Sequence, residues 1–361
     1  MMKKILMVVA ALMVAICVNA QRIRIIDKDG QPVPYVSVMT ADAKFIGVTD
    51  LDGVIADVKG ADTISVSHVA YKPKLYKVND KSGSITLEDA DFGLPEIVVK
   101  KKPYVYVQTY YRMYMYTDDM GMAYYRVGLT DNVYDLKTKK LSTNTRHTSK
   151  ARYSVLKTAV NTIIGSKADG ISHLRMKKIE DNIKKNKDYT IVQEGANKKH
   201  IKLAKGTIGY IVDENGQRRF SYDAGKIKKY DIEEEGNAKK KAKAEKKAAR
   251  KKNEVGSDFV LYRIDEEGNY LPEDFVMLEH MDSYDEVKKD NTLEHTAFGF
   301  QVFAIERAYV DKEDLKKLKK ENKMKLTYQN IRQFERAHKI PALAPNLQQK
   351  LNELWKSDES E

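Results

Sequence analysis

Residues 104–116 alternate between two kinds of side chain, and this alternation constrains the fold more than any other feature of the chain. In an extended strand, successive side chains point to opposite faces of the sheet. One face would therefore carry Gln108 together with Tyr104, Tyr106, Tyr110, Arg112, Tyr114 and Tyr116. The other face would carry Val105, Val107, Thr109, Tyr111, Met113 and Met115. A period of two over this length predicts a long strand in a large sheet.

The tyrosine-bearing face has two interpretations. Tyrosine forms strands well, so the face is expected to be the half-exposed side of a large sheet. Tyrosine also offers apolar area and a hydroxyl group at low entropic cost, which would suit a binding surface for a partner. The face with valine and methionine is predicted to be core, or the lining of an apolar cavity for an acyl chain if the sheet is concave.

The rest of the chain alternates strand and helix patterns. A hairpin is predicted at 206–222, because Asp213-Glu214-Asn215-Gly216 carries a strong turn signal. Apolar side chains at helical spacing predict helices at 153–164 and 171–185, and the chain is predicted to turn helical after Asp311. Further strands are predicted at 122–134, 141–152, 258–264, 275–280 and 296–310. The expected fold class is mainly β with α additions: a mixed, mostly antiparallel β domain with helical insertions and a helical C-terminal tail.

The first 20 residues have the three parts of a secretory signal. Lys3 and Lys4 precede an apolar stretch at 5–18, and Val18-Asn19-Ala20 forms a small-residue cleavage site. The sequence therefore predicts export across the inner membrane, with the product periplasmic or peripherally associated with the outer membrane. The single cysteine, Cys17, lies within this leader, so disulfides and thiolate chemistry are not expected after cleavage.

Residues 21–90 read as short strands separated by turns, a pattern typical of a small antiparallel sandwich. In the turn Thr49-Asp50-Leu51-Asp52-Gly53 the aspartates are expected to accept hydrogen bonds from nearby backbone amides. A calcium loop would need an acidic residue where Ala61 stands, so calcium is not predicted.

Three motifs in this region resemble a known family. They are Gly30-Gln31-Pro32-Val33-Pro34-Tyr35-Val36-Ser37-Val38, then residues 47–53, then His68-Val69-Ala70-Tyr71. Together they resemble the carboxypeptidase regulatory-like domain, and Leu94-Pro95-Glu96-Ile97-Val98-Val99 is similar to the segment that follows this domain in TonB-dependent outer-membrane receptors. The resemblance covers residues 21–99. It implies a transthyretin-like β-sandwich at the start of an envelope protein, without the zinc chemistry of the carboxypeptidases.

The net charge of +12 is concentrated in one run at 238–252. This run has strong helix formers but no apolar face, which predicts a solvated helix or an unfolded insert. An alternative is contact with an anionic membrane surface through Lys239, Lys240, Lys241, Lys246, Lys247 and Arg250. Nucleic acid is not predicted, because the run has no interleaved aromatic residues to stack on bases.

No recognisable catalytic or metal-binding motif is present. The histidines do not start a zinc-protease motif, and there is no nucleophile elbow or phosphate-binding glycine loop. The most enzyme-like residues are the pairs Glu279-His280 and Glu294-His295. Neighbours on a strand point to opposite faces, so we interpret these as surface or sheet-edge polar residues.

The sequence therefore predicts a non-catalytic binding or scaffold protein of the cell envelope, with no cofactor or metal. Its partner is expected to be an envelope protein or a lipid. The alternative is a periplasmic carrier or chaperone for lipid or lipoprotein that uses a curved sheet, its cavity lined by Val105, Val107, Met113 and Met115. An undetected hydrolase is the third alternative. The expected divisions are the leader (1–20), the sandwich (21–90), a linker (91–103), a tyrosine-rich α+β domain (104–310) and the tail (311–361).

Overall fold

The structure is a computed structural model. It describes residues 22–56, 58, 61–78, 83–92, 102–119, 121–138, 140–152, 190–203, 206–223, 251–288, 291–321 and 326–356. The predicted leader, the predicted helices at 153–164 and 171–185, residues 94–99 and the lysine run up to Arg250 lie outside the described residues.

The first part of the chain is a sandwich of two small sheets, here called the sandwich. Its strands are β1 (Arg22–Ile26), β2 (Ser37–Thr40), β3 (Phe45–Val48), β4 (Val54–Ala56), β5 (Thr63–Ser67), β6 (Lys74–Lys77) and β7 (Ser84–Thr86). One sheet has the order β4-β1-β7 and the other β3-β2-β5-β6. Alternate residues such as Ile23 and Ile25 are buried in the shared core, as the period of two requires. The Asp50 carboxylate accepts from the backbone N–H groups of Asp52 and Val54, which confirms the predicted turn.

The second part is one ten-stranded antiparallel sheet, here called the large sheet. Its strands are β8 (Tyr104–Thr117), β9 (Ala123–Asp135), β10 (Leu141–Arg152), β11 (Thr190–Glu194), β12 (Lys198–Leu203), β13 (Gly206–Glu214), β14 (Gln217–Tyr222), β15 (Lys251–Arg263), β16 (Phe275–Val287) and β17 (Leu293–Val310). Their order is β10-β9-β8-β17-β16-β15-β14-β13-β12-β11. Strands that are neighbours in the sheet are also consecutive in the chain, with one exception: β8 pairs with β17, the last strand. The first three strands of the sheet, β8 to β10, therefore lie on one side of β17, and β11 to β16 lie on the other.

The predicted hairpin is confirmed in this sheet. Strands β13 and β14 pair in register from Gly209 to Tyr222, and the turn lies at Asn215 and Gly216. Both turn residues have positive φ, 52° and 69°, which a two-residue type I′ turn requires.

Three helices end the chain, here called the tail helices: α1 (Lys312–Glu321), α2 (Tyr328–Ala337) and α3 (Pro345–Lys356). Thr327 caps α2, and the Asn330 side chain accepts from the Thr327 backbone N–H at 2.7 Å. Pro345 occupies the first position of α3, where its missing N–H costs nothing. These helices confirm the predicted tail and, with the sheets, the predicted mainly β fold class.

The sandwich and the tail helices cover the same face of the large sheet. One core cluster joins Met39, Phe45 and Val69 of the sandwich to sheet residues such as Phe303 and to Leu347 of α3. The face that they cover is the one that bears the tyrosines of β8. Among the described residues, no helix has the length and apolar character needed to span a membrane.

Candidate functional site

The tyrosine face of β8 is dry, which corrects the expectation of a half-exposed sheet. Five of the predicted binding residues are buried, and Tyr104 at the start of the strand is partly exposed; the five are Tyr106, Tyr110, Arg112, Tyr114 and Tyr116. Their polar atoms meet groups of the same chain rather than solvent. Alternation shows which side chains share a face but not what covers it, so the sequence could not show that this face is occupied.

The buried tyrosine hydroxyls on this face meet partners in the sheet, the tail helices and the sandwich. Tyr110 donates to Glu335 of α2 at 2.7 Å, and Tyr106 donates to Asp131 of β9 at 2.8 Å. Tyr116 lies 3.5 Å from the Met39 sulfur in the sandwich. Tyr110 and Tyr116 therefore fasten the tail helices and the sandwich to the sheet, and in this structure the buried tyrosines form no open surface for a partner.

A buried polar network crosses this face from the tail to the sandwich. Arg112 donates to Glu335 at 3.1 Å, to the Pro341 carbonyl at 2.6 Å and to the Gln301 side chain at 2.5 Å. Gln301 in turn donates to Glu279, whose other oxygen accepts from the Val69 backbone N–H at 2.9 Å. Burial raises the pKa of Glu279 above its usual value, and these two hydrogen bonds oppose that rise.

The acid–base pairs identified in the sequence do not converge. Glu279 lies in the network just described, whereas His280 on the opposite face meets Asp258 at 2.6 Å. Glu294 pairs with Lys288, and His295 meets Asp285 at 2.7 Å while stacking on Phe45 of the sandwich. Each member therefore pairs across strands, and neither dipeptide forms an acid–base site by itself.

The second face of β8 is part of another apolar cluster. Val105, Val107 and Met113 are buried in it together with residues from strands β9 and β12 to β17, and Met115 packs against it half-buried. This burial agrees with the predicted core. Of the lysine run, only Lys251 and Lys252 lie among the described residues, where they begin β15.

A cleft of about 450 Å³ lies between the sandwich and the part of the large sheet formed by β12 to β15, here called the interdomain cleft. The sandwich side includes Asp27, Asp29, Val33, Leu51, His68 and Tyr71. The sheet side includes Lys198, Tyr210, Val212, Glu214, Arg219, Ser221 and Phe259. This volume is in the range of small-molecule sites, which are generally about 300–1,000 Å³.

Contacts at both ends hold the two walls of the cleft in place. The Tyr35 hydroxyl donates to the Ile208 carbonyl at 2.9 Å, from a backbone with φ of 60° that is uncommon for an aromatic residue. On the other side, the Val69 N–H bonds Glu279 and the His68 ring meets Phe259 edge-on with centroids 4.6 Å apart. The cleft is therefore preformed between fixed walls.

His68 is the buried polar residue at the floor of the cleft. Only 4 % of the residue is exposed, and Nδ1 accepts from the Ala70 backbone N–H at 3.2 Å. The ring proton is therefore assigned to Nε2. Within the residues that the structure describes, Nε2 has no hydrogen-bond partner in the chain. Burial, with the charge of Arg219 as a second cause, lowers the pKa of His68 to about 3, so the ring is a neutral donor.

Arg219 and Tyr71 lie beside His68. Arg219 donates to the Tyr71 hydroxyl at 3.4 Å and also pairs with Glu214, and the rings of Tyr71 and His68 have centroids 5.4 Å apart. Burial raises the pKa of Tyr71, so its phenol stays protonated. The floor of the cleft is therefore rich in hydrogen-bond donors, and one of them carries a positive charge.

The rim of the cleft has the opposite charge. Asp29 and Glu214 are exposed, and Asp27 is half-buried with its carboxylate accepting from the Asp29 and Gln31 backbone N–H groups. Lys198 lies over the Tyr210 ring with its ammonium 4.1 Å from the centroid. Solvent screens the exposed carboxylates more than the buried floor.

His68 should make the protein less stable in acid. The unfolded ring titrates near 6.5 and the folded ring near 3, so below about pH 6.5 the unfolded state binds more protons and stability falls. Between pH 7.5 and pH 4.5 this ring should cost about 2.5 kcal/mol of unfolding free energy. Urea unfolding of the wild type and His68→Gln at both pH values measures the cost.

The difference between the stability losses of the two proteins gives the contribution of the His68 ring, because other groups such as Glu279 are present in both. The wild type should lose more stability than His68→Gln on acidification. An equal loss in the two proteins would mean that His68 is not held neutral by the fold.

Sequence reasoning did not single out His68 or Arg219 as site residues. The two are far apart in the chain, on a sandwich turn and on β14, and neither stands in a local motif for ligand binding. Among the described residues, His, Cys, Asp and Glu side chains form no group of three that would hold a metal ion.

No protein-family model matches this chain, and no curated protein matches it.

Proposed function

We propose that this chain is an exported, non-catalytic binding protein of the cell envelope that holds its ligand in the interdomain cleft. The observation that carries the proposal is the Nε2–H donor of His68, a residue that lines a preformed cleft of about 450 Å³; among the described residues this donor has no hydrogen-bond partner. An acceptor on a bound ligand could take this N–H donor in place of water from the cleft. A cleft lined by apolar side chains and a few convergent polar groups is the usual form of a ligand site.

The contacts that hold the sandwich, the large sheet and the tail together support a rigid binding site rather than a function that requires these parts to move. The sandwich, the large sheet and the tail share one core, and the network from Glu335 to Val69 crosses all three. A preorganised cleft loses less entropy when it binds a ligand, which favours affinity.

The location is part of the same proposal. The leader at 1–20 supports export, and the resemblance of residues 21–99 to the carboxypeptidase regulatory-like domain supports a role in the envelope, either free in the periplasm or at the outer membrane. The lysine run at 238–252 would add attraction to an anionic membrane surface. The partner that delivers or receives the ligand would be an envelope protein or lipid.

Replacing Ser221 with tryptophan should block the cleft. Ser221 is a small, half-buried residue that lines it, and an indole there would occupy volume that the ligand needs. In native mass spectra of protein gently purified from its own envelope, the fraction carrying added mass should fall by about tenfold or more in Ser221→Trp.

Ser84→Trp is the matched control, because Ser84 is exposed on β7 and does not line the cleft. The control should keep the added mass of the wild type, and both variants should melt within a few degrees of it. Added mass that persists in a folded Ser221→Trp protein would place the ligand elsewhere, and a wild-type protein that carries no added mass would contradict the proposal.

A second candidate function is a carrier for lipid or lipoprotein. The apolar cluster on the second face of the sheet favours it, because Val105, Val107 and Met113 share that cluster with residues of six other strands toward β12. The same experiment distinguishes the two. A lipid-sized mass that persists in Ser221→Trp but is lost when Met113 is replaced by glutamine would support the carrier.

A further inference from the structure

We propose that the ligand of the interdomain cleft presents a single carboxylate next to an apolar group. This inference rests on the proposed function, because it names the chemical class that the same cleft would take. The carboxylate would accept from His68 Nε2–H and Arg219 on the cleft floor, with the Ser221 hydroxyl nearby as a further donor.

In the part of the cleft that the structure describes, the floor offers N–H donors that the chain does not use. His68 offers one N–H, and Arg219 has five N–H donors, of which the described structure uses one for Tyr71 and one for Glu214. The positive charge of Arg219 also lies close enough to lower the proton affinity of His68. An anionic acceptor is the complement of such a floor, and hydrogen bonds to a charged acceptor are the strong ones.

The charge of the rim decides between a carboxylate and a phosphate. The exposed or half-exposed groups Asp27, Asp29 and Glu214 bring three negative charges to the cleft, against the positive charges of Lys198 and of Arg219 on the floor. A phosphate group carries about −1.5 to −2 charges at neutral pH and would be repelled more strongly by these carboxylates than a singly charged carboxylate. Among anions, the acidic groups beside the cleft therefore favour a singly charged one over phosphate.

The walls of the cleft define the rest of the ligand. Val33, Leu51, Val212 and Phe259 line it with apolar surface, and Phe259 packs directly against the His68 ring. A chain of aliphatic carbons attached to the carboxylate would bury against these side chains. The end of a peptide with an apolar last residue and a free aliphatic acid share this chemistry.

Calorimetric titration with hexanoate and with hexanamide tests the inference, since the two differ only in the charged group. Hexanoate should bind at least about tenfold more tightly than hexanamide. Ala-Ala-Leu with a free carboxyl terminus and its C-terminal amide form the second pair of probes. Tighter binding of the free peptide than of hexanoate would identify a peptide terminus, and the reverse order would identify a free aliphatic acid.

Variants connect the binding to the two proposed donors. Arg219→Gln and His68→Phe should each weaken hexanoate binding about tenfold or more, whereas His68→Gln keeps an N–H donor and should stay within about threefold of the wild type. Melting temperatures verify that each variant is folded. Equal affinity for hexanoate and hexanamide, unchanged affinity in a folded Arg219→Gln, or no binding of either acid would overturn the inference.

The experiments distinguish a failure of the carboxylate inference from a failure of the proposed binding function. A native mass that depends on Ser221 while neither acid binds would leave the cleft as the binding site and exclude the carboxylate. A native mass that does not depend on Ser221 would exclude both.

Discussion

Replacing Arg112 with methionine should lower the unfolding free energy by about 3 kcal/mol, because it removes the buried one of the two cations beside Glu335 and leaves buried acceptors without their donor. The Arg112 side chain is 1 % exposed, and it donates to Glu335, Gln301 and the Pro341 carbonyl. Each of these three buried acceptors would lose a hydrogen-bond donor that water could not replace. The single tryptophan, Trp355 of α3, packs edge-on against Tyr125 of the sheet, so its fluorescence during urea unfolding reports the effect.

Arg332 is the matched control, because it pairs with the same carboxylate. It lies 2.7 Å from Glu335 but is 33 % exposed, so Arg332→Met should cost less than about 1 kcal/mol. The double variant Arg112→Met with Glu335→Leu should recover part of the loss, since it also removes the buried carboxylate that has lost its buried partner. Equal losses of unfolding free energy for the two arginines would contradict the view that burial determines how much each one contributes to stability.

Replacing Gly299 with alanine should destabilise the protein by about 3 kcal/mol through overpacking. The Tyr114 ring of β8 lies across Gly299 of β17, and a Cβ atom added there would be 2.2 Å from the ring carbon Cζ. Tyr114 is buried and its hydroxyl points to the Met281 sulfur at 3.4 Å, so the ring has little room to move. Urea unfolding curves measure the loss.

Gly47→Ala is the control for this glycine. Gly47 lies in β3, and the nearest atom to an added Cβ is Ile55 Cδ1 at 3.5 Å, an ordinary contact. Its effect should be within about 0.5 kcal/mol. Adding Tyr114→Leu to Gly299→Ala should cost less than the sum of the single changes, because the smaller side chain relieves the clash. Additive costs would show that the ring and the glycine are not coupled.

The pattern of the chain was enough to predict most of the strands. The alternation at 104–116 is the strand Tyr104–Thr117, and the predicted strand at 141–152 has the same bounds in the structure. The hairpin at Asp213 to Gly216 was also predictable, because positive φ at Asn215 and Gly216 is a property of those residues themselves. Such features depend on backbone geometry and on neighbours in the chain, which the sequence contains.

The coverage of the tyrosine face was not predictable in this way. Tyr116 meets Met39 and Tyr110 meets Glu335, so the groups that make the face dry come from opposite ends of the chain. A tyrosine on a strand has the same local pattern whether water or a helix lies above it. The candidate site was equally hidden, since the cleft exists only where the His68 turn of the sandwich meets Arg219 on β14.

The sequence by itself therefore determined which side chains share a strand face and where the chain turns. Those properties follow from the direction of side chains along an extended backbone and from the conformational preferences of single residues. Only the tertiary structure decided that the face of Arg112 is interior and that His68 opens onto a cleft. The physical reason is that the burial of a side chain depends on what packs over it. Here the packing partners lie as far as 225 residues away in the chain.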